Sequence, residues 1–312
     1  MLIIGVAISV ALVVYFGAQG IGAAFVRLGA IGFIVFCLAH APVVAVKGVA
    51  WRYCLPLSSR IGFLGVVAAR VLRDAGAEVL PLSEVGGFVI GARAAVLAGA
   101  TSLEASASTL LDLTTEAVAQ LAFVALGLAA LHWLRPDAAL IRPAALVLGL
   151  LTIAIVMTAS AVSRSASVFA RIRVAVSGWL AGFGDVDAVF KMMGDIARRR
   201  GAMIAASIIH LIGWLGVAAE GWLGLRLLGA PISFSAALAL ESILFAARSI
   251  GFFSPNGFGV QEGAYALLAP LIGLDIADAL ALSLIKRARD LVIGAPALLL
   301  WQRAEAARLW RR

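Results

Sequence analysis

Pro255-Asn256-Gly257-Phe258-Gly259-Val260-Gln261-Glu262-Gly263 and Leu80-Pro81-Leu82-Ser83-Glu84-Val85-Gly86-Gly87 break two apolar stretches of membrane length, each with a carboxylate beside the break. Hydrocarbon offers no partner to a backbone N–H or C=O, so unwound chain at that depth survives only where protein or a water-filled cavity surrounds it. Paired interruptions in corresponding halves of a membrane chain point to a translocation site. The two breaks therefore direct the reading toward an all-α bundle within the bilayer and mark where function is to be sought.

Outward from the breaks, the composition is that of a polytopic membrane protein. Of 312 residues, 63% are hydrophobic and 13% charged, with a mean hydropathy of +1.05. Apolar runs able to cross roughly 30 Å of hydrocarbon recur from end to end. One transmembrane domain over 1–312 is expected, without a separate soluble catalytic module. The net charge is +8, but Lys and Arg lie mainly in loops between apolar runs rather than on one soluble face. Membrane lipids and an anionic leaflet surface are thus the expected partners, not nucleic acid. Cys37 and Cys54 show no metal spacing and read as free thiols with a packing role. Met1 to Phe16 lacks a basic lead, so it reads as a first span rather than a cleaved signal.

Full spans are predicted near 2–18, 28–50, 104–131, 143–160, 201–224 and 277–300. The interrupted stretches, about 61–98 and 233–272, read as re-entrant helical hairpins, with short tilted spans as the alternative. Residues 161–200 carry seven Lys or Arg against three Asp, and the tail after Trp301 carries four Arg against Glu305. Both basic segments are expected on the cytoplasmic side, which places both termini there. Lys47, Arg52 and Arg60 read as a third loop cluster on that side. With six crossings the first hairpin enters from the cytoplasm and the second from outside. Span, hairpin, span then occurs twice with opposite topology, over 28–131 and 201–300, joined by an amphipathic cytoplasmic linker at 161–200. An offset of 174 superposes Pro81 on Pro255, Gly99 on Gly273, Glu104 on Asp278 and Glu116 on Asp290.

Charges inside spans carry the functional reading, because each costs ~2.5–3.5 kcal/mol on insertion scales unless it faces protein or water. Lys286, Arg287, Arg289 and Asp290 stand in the middle of 277–300, and Asp112 and Glu116 share a helix face in 104–131. Pairing across the repeats is expected, Asp112 or Glu116 with Arg287 or Arg289, either to fix helix register or to line a polar cavity. Glu262 falls in the first turn of a half-helix, where it either satisfies orphan amides or acts as a gate or headgroup contact. Glu84, with Arg93, is expected to play the same part in the first hairpin. Arg248 either pairs with Glu262 or receives a lipid phosphate. Glu241, Arg70, Arg73, Asp74 and Glu78 populate the same hairpins. His40, His132 and His210 are scattered and read as structural. No metal spacing, Walker-type run or nucleophile elbow is present, so no catalytic residue, metal or cofactor is assigned.

The second break resembles the Pro-Gly-Gly-(apolar)-Gly-x-x-Glu signature of the lysylphosphatidylglycerol synthase/flippase transmembrane family, the membrane half of multiple peptide resistance factors. Leu80-Pro81 with Glu84, Gly86 and Arg93 is similar to that family's upstream motif, and Arg287-Ala288-Arg289-Asp290 to its late Arg-x-x-Asp region. Asn256 replaces the usual Gly, a change a tight turn tolerates. The resemblance implies a stand-alone flippase-like domain of the bacterial cytoplasmic membrane, similar to hopanoid-biosynthesis-associated members, that moves a polar-headgroup lipid between leaflets. Glu84, Arg93, Arg248, Asn256 and Glu262 are then the headgroup or gate residues, and Asp112, Glu116, Lys286, Arg287, Arg289 and Asp290 the polar core. The alternative is a non-transporting partner that presents lipid to a biosynthetic enzyme.

Overall fold

The computed structural model describes residues 18–79, 83–139, 141–164, 185–250 and 257–309. Among these the regular structure is entirely helical: α1 (Ala18–Cys54), α2 (Phe63–Val79), α3 (Ser83–Leu97), α4 (Ser102–Leu134), α5 (Ile141–Arg164), α6 (Val186–Ala197), α7 (Arg200–Leu227), α8 (Phe234–Ile250), α9 (Val260–Leu268) with a 3-10 turn to Ile272, and α10 (Ile276–Leu309). Most of the expected first span at 2–18, the tips of both breaks at 80–82 and 251–256, and residues 165–184 of the linker lie outside the described residues.

Local chemistry sets the helix ends. Thr101 opens α4 with a reciprocal cap: Glu104 N–H donates to its hydroxyl at 3.1 Å, and Thr101 N–H donates to Glu104 Oε2 at 2.8 Å. Asp185 caps α6 by accepting from the N–H of Asp187 at 2.9 Å. The second break needs left-handed backbone at both of its central glycines, Gly257 (φ 58°) and Gly259 (φ 80°), which a side chain would strain. α2, α3 and α8 have 17, 15 and 17 residues. At 1.5 Å per residue they reach about 22 to 26 Å, less than the hydrocarbon thickness, so these hairpin helices are shorter than the long ones they pack against. α2 and α3 approach so closely that a Cβ on Gly87 would stand 2.5 Å from the carbonyl oxygen of Arg73.

Among the described residues three helical stretches are long and apolar enough to cross a membrane: Gly22–Cys54, Ser102–Leu134 and Arg200–Leu227. α10 has 34 residues, but Lys286 to Asp290 lower its hydropathy below that of a simple span. Large apolar side chains face outward in rows, such as Ile204, Ile208 and Ile212 on α7 and Leu291, Val292, Leu299 and Leu300 on α10. Rows of this kind suit a lipid solvent.

Packing follows an exchange rule. α4 packs on α8 and α10 on α2; α4 packs on α7 and α10 on α1; α2 joins α1 as α8 joins α7. Swapping α1–α4 for α7–α10 maps each of these contacts onto another. α1 and α7 pair with each other and run antiparallel: Phe36 meets Gly224, Val43 meets Gly216 and Lys47 meets Gly213. Small residues on α7 admit the side chains of α1, as membrane helix interfaces commonly require. Arginines clasp both ends of the pair. Arg27 on α1 donates to Leu228 C=O at 2.6 Å and to Asp278 at 2.7 Å, while Arg199 ahead of α7 donates to Tyr53 and Leu55 C=O, both at 2.8 Å.

Among the described residues the long helices thread two large apolar cores, beside a small one of Ala75, Ile90 and Leu298. One gathers Phe36, Leu128, Leu225, Tyr265, Leu280 and Ile285; the other gathers Trp51, Cys54, Ile61, Ala107, Val189 and Ala206. Between them, on α1, α4, α7 and α10 alike, lies a layer of charge. Lys47 belongs to that layer: it is buried within α1 rather than set in a basic loop, because α1 continues to Cys54 before the chain turns.

Candidate functional site

α2 and α4 build the first polar cluster. Spacing of i, i+3 puts Arg70 and Arg73 on one face of α2, and i, i+4 puts Asp112 and Glu116 on the facing side of α4. Arg70 Nη2 donates to Glu116 Oε1 at 2.9 Å and its Nη1 to Asp112 Oδ2 at 3.3 Å. Arg73 donates to Glu116 Oε2 at 2.9 Å and also pairs with Asp112. Asp74 adds a contact to Arg70 at 3.0 Å, Lys47 approaches Glu116 at 3.6 Å, and His210 Nε2 meets Asp112 Oδ1 at 2.9 Å. Asp112 and His210 are fully enclosed. Asp112, Glu116 and His210 offer ligand atoms within 4.8 Å of one another. The spacing suits a cation, but Arg70, Arg73 and Lys47 already direct positive charge at those oxygens, so the donor set does not suit a metal ion.

The second cluster is strung along α10. Lys286 donates to Glu241 of α8 at 2.5 Å, and Tyr265 O–H donates to the same carboxylate at 2.9 Å. Arg287 donates to Glu262 of α9 at 2.8 Å. Arg289 pairs with Glu220 of α7 and donates to Asp290 at 2.7 Å, and His40 Nδ1 meets the other oxygen of Glu220 at 3.1 Å. Arg248 donates to Glu78 at 2.8 Å and Gln261 at 3.2 Å, which ties α8 to α2 and α9.

A cavity of about 460 Å³ opens between the two clusters, lined by side chains of α1, α2, α4, α7, α8 and α10. Lys47, Arg73, Glu116, Glu241, Lys286, Arg289 and Asp290 reach it from both halves, beside Trp214 and Gln120. Lys47 also stands 3.9 Å from the Trp214 ring centroid, a cation–π contact that shelters it between helices.

The expected cross-repeat pairs are not formed. Asp112 and Glu116 find their arginines on α2 of their own half, reached by the long side chains of Arg70 and Arg73, while α10 packs on α2, α1 and α9. Arg287 and Arg289 turn instead to Glu262 and Glu220. Arg248 takes Glu78 and Gln261 rather than Glu262. Glu262 accepts from the N–H of Gly259 at 2.9 Å and from Ser283 O–H at 2.9 Å and is fully enclosed, so it caps α9 and ties α9 to α10. Arg93 pairs with Glu305 near the end of α10, away from the cavity-lining residues. Asn256 and the side chain of Glu84 lie outside the described residues. Cys54 is buried and 3.6 Å from Thr115 Oγ1, while Cys37 is half-buried.

Sequence reasoning passed over Glu220, and it set aside His40 and His210. Glu220 carried a usable signal, an acid within the span 201–224. The histidines carried a fainter one: His40 and His210 stand 170 residues apart, one helical turn short of the 174 offset.

Fold and site together define an integral membrane helical bundle with an ion-paired interior. The chain belongs to the lysylphosphatidylglycerol synthase TM region family, whose match runs over residues 2–297. This membership gives it a membrane lipid-related function. No curated protein and no solved structure matches the chain significantly.

Proposed function

We propose that the protein carries a polar-headgroup lipid between leaflets, the headgroup passing through the charged cavity while the tails stay in lipid. One observation carries this reading: a cavity of about 460 Å³, lined by charges from both halves and set between two apolar cores. Six charge-bearing helices are a costly way to fix register alone, since buried ion pairs are seldom better than apolar packing. The antiparallel α1/α7 pair and the exchange of contacts between halves support an inverted repeat, the plan on which alternating access is built. On this reading the protein is a carrier, not an enzyme, and the cavity charges hold headgroup atoms rather than reacting ones.

Reconstitution tests it. Proteoliposomes containing a fluorescent phospholipid should expose inner-leaflet label to an external quencher at a protein-dependent rate. Gln120→Trp fills the cavity without removing an ion pair and should cut that rate at least tenfold while the protein still elutes as a folded species. A folded Gln120→Trp protein that moves lipid at the original rate would remove the cavity from the path, and an inactive original chain would favour lipid presentation to a partner.

A further inference from the structure

Both interior histidines bond a carboxylate, yet they differ in the charge that surrounds them. In the first cluster Lys47, Arg70 and Arg73 face Asp74, Asp112 and Glu116, which is a balanced set. In the second, Arg248, Lys286 and Arg287 each meet one carboxylate, while Arg289 stands between two, Glu220 and Asp290. Among the described side chains the second cluster therefore holds five carboxylates against four cations, and His40 is bonded to one of the five, Glu220.

The ring nitrogens differ as well. An ionised carboxylate only accepts, so the neutral tautomer of each histidine carries its hydrogen on the nitrogen that faces the acid. For His210 that nitrogen is Nε2, and its Nδ1 is buried without a partner in a fully enclosed ring. A second proton there would be stranded. For His40 the hydrogen sits on Nδ1, which leaves Nε2 as the basic atom on a side chain that is 18% exposed and lines the cavity.

We propose that His40 is a proton-binding site coupled to occupancy of the cavity by an anionic phosphodiester headgroup. This rests on the carrier reading above. A proton arriving from cavity water at Nε2 makes an imidazolium that offsets the surplus carboxylate and competes for Glu220. Arg289, released on its Nη1 side, turns its fork to the phosphate, the geometry guanidinium groups favour. Coupling is reciprocal: phosphate at Arg289 strengthens proton binding at His40. Of the charged groups, Glu220 on α7 bonds His40 and Asp290 on α10 acts on it through its charge; these two carboxylates are in turn surrounded by Lys286 and Arg289 on α10, Glu78 on α2 and the Cys37 thiol on α1. Among these side-chain types imidazole is the one suited to exchange a proton under physiological conditions.

With three histidines in the chain, ring-carbon NMR of histidine-labelled protein in nanodiscs gives three signals, assigned by single substitutions. The full chain is titrated in phosphatidylcholine discs, then in discs with added phosphatidylglycerol. The His40 signal should reach its imidazolium position about one pH unit higher with phosphatidylglycerol, tenfold in proton affinity. Exposed His132 measures the part due to membrane surface potential, and the His40 displacement must exceed it. Glu220→Gln removes the bonded acid and Asp290→Asn the surplus charge; either folded variant should lose the excess. A His40 displacement no larger than that of His132, or one that persists in either variant, overturns the proposal. Because the readout is protonation rather than lipid movement, a failed carrier assay leaves this result standing, and the reverse also holds.

Discussion

In the first half Arg70 and Arg73 grip Asp112 and Glu116 as a closed knot between two helices, whereas in the second Lys286, Arg287 and Arg289 each reach a carboxylate on a different helix. The knot is a lock. Every member has two or more partners, and α2 cannot slide on α4 without stranding charge. The series along α10 ties α7, α8 and α9 to one element through contacts on three different helices, so the loss of one leaves the other two in place. The same chemistry thus knots two helices in one half and spreads over four in the other.

Removing one member of the knot is the severest way to test this contrast. Glu116→Gln leaves Arg70, Arg73 and Lys47 around a single remaining carboxylate pair, and thermal unfolding in detergent should show a loss of ~3–5 kcal/mol. In the second half Glu262→Gln keeps an acceptor for the Gly259 N–H and gives up the charge of the Arg287 pair, so the same assay should show about 1–3 kcal/mol. Equal losses would erase the distinction between lock and series. At the small end, Arg93→Ala breaks a pair whose arginine side chain is 40% exposed and should cost less than about 1 kcal/mol, with lipid movement unchanged. A large effect there would tie Arg93 to lipid movement despite its pairing with Glu305.

The helices and the charged layer were legible in the sequence, since apolar length marks a span and a charge within one is too costly to be idle. Asp112, Glu116, Lys286, Arg287, Arg289 and Asp290 all fall in the buried or half-buried interior. Partner choice was not legible. Asp112 and Glu116 share a face, but whether that face meets α2 or α10 depends on helix crossing, which no spacing along one helix encodes. Lys47 was misplaced because Arg52 and Arg60 follow it within one basic run, while the end of α1 falls between them. At Glu262 the sequence left two readings open, and the short bonds to Gly259 and Ser283 support the capping one.

Arg27 and Arg199, fastened to opposite ends of α1 and α7, limit how the halves can move against each other. A rocking motion that displaced these ends would tear main-chain carbonyls from their guanidinium clasps. The axle of any such motion therefore runs along α1 and α7, and the sweep is left to the hairpin helices on either side.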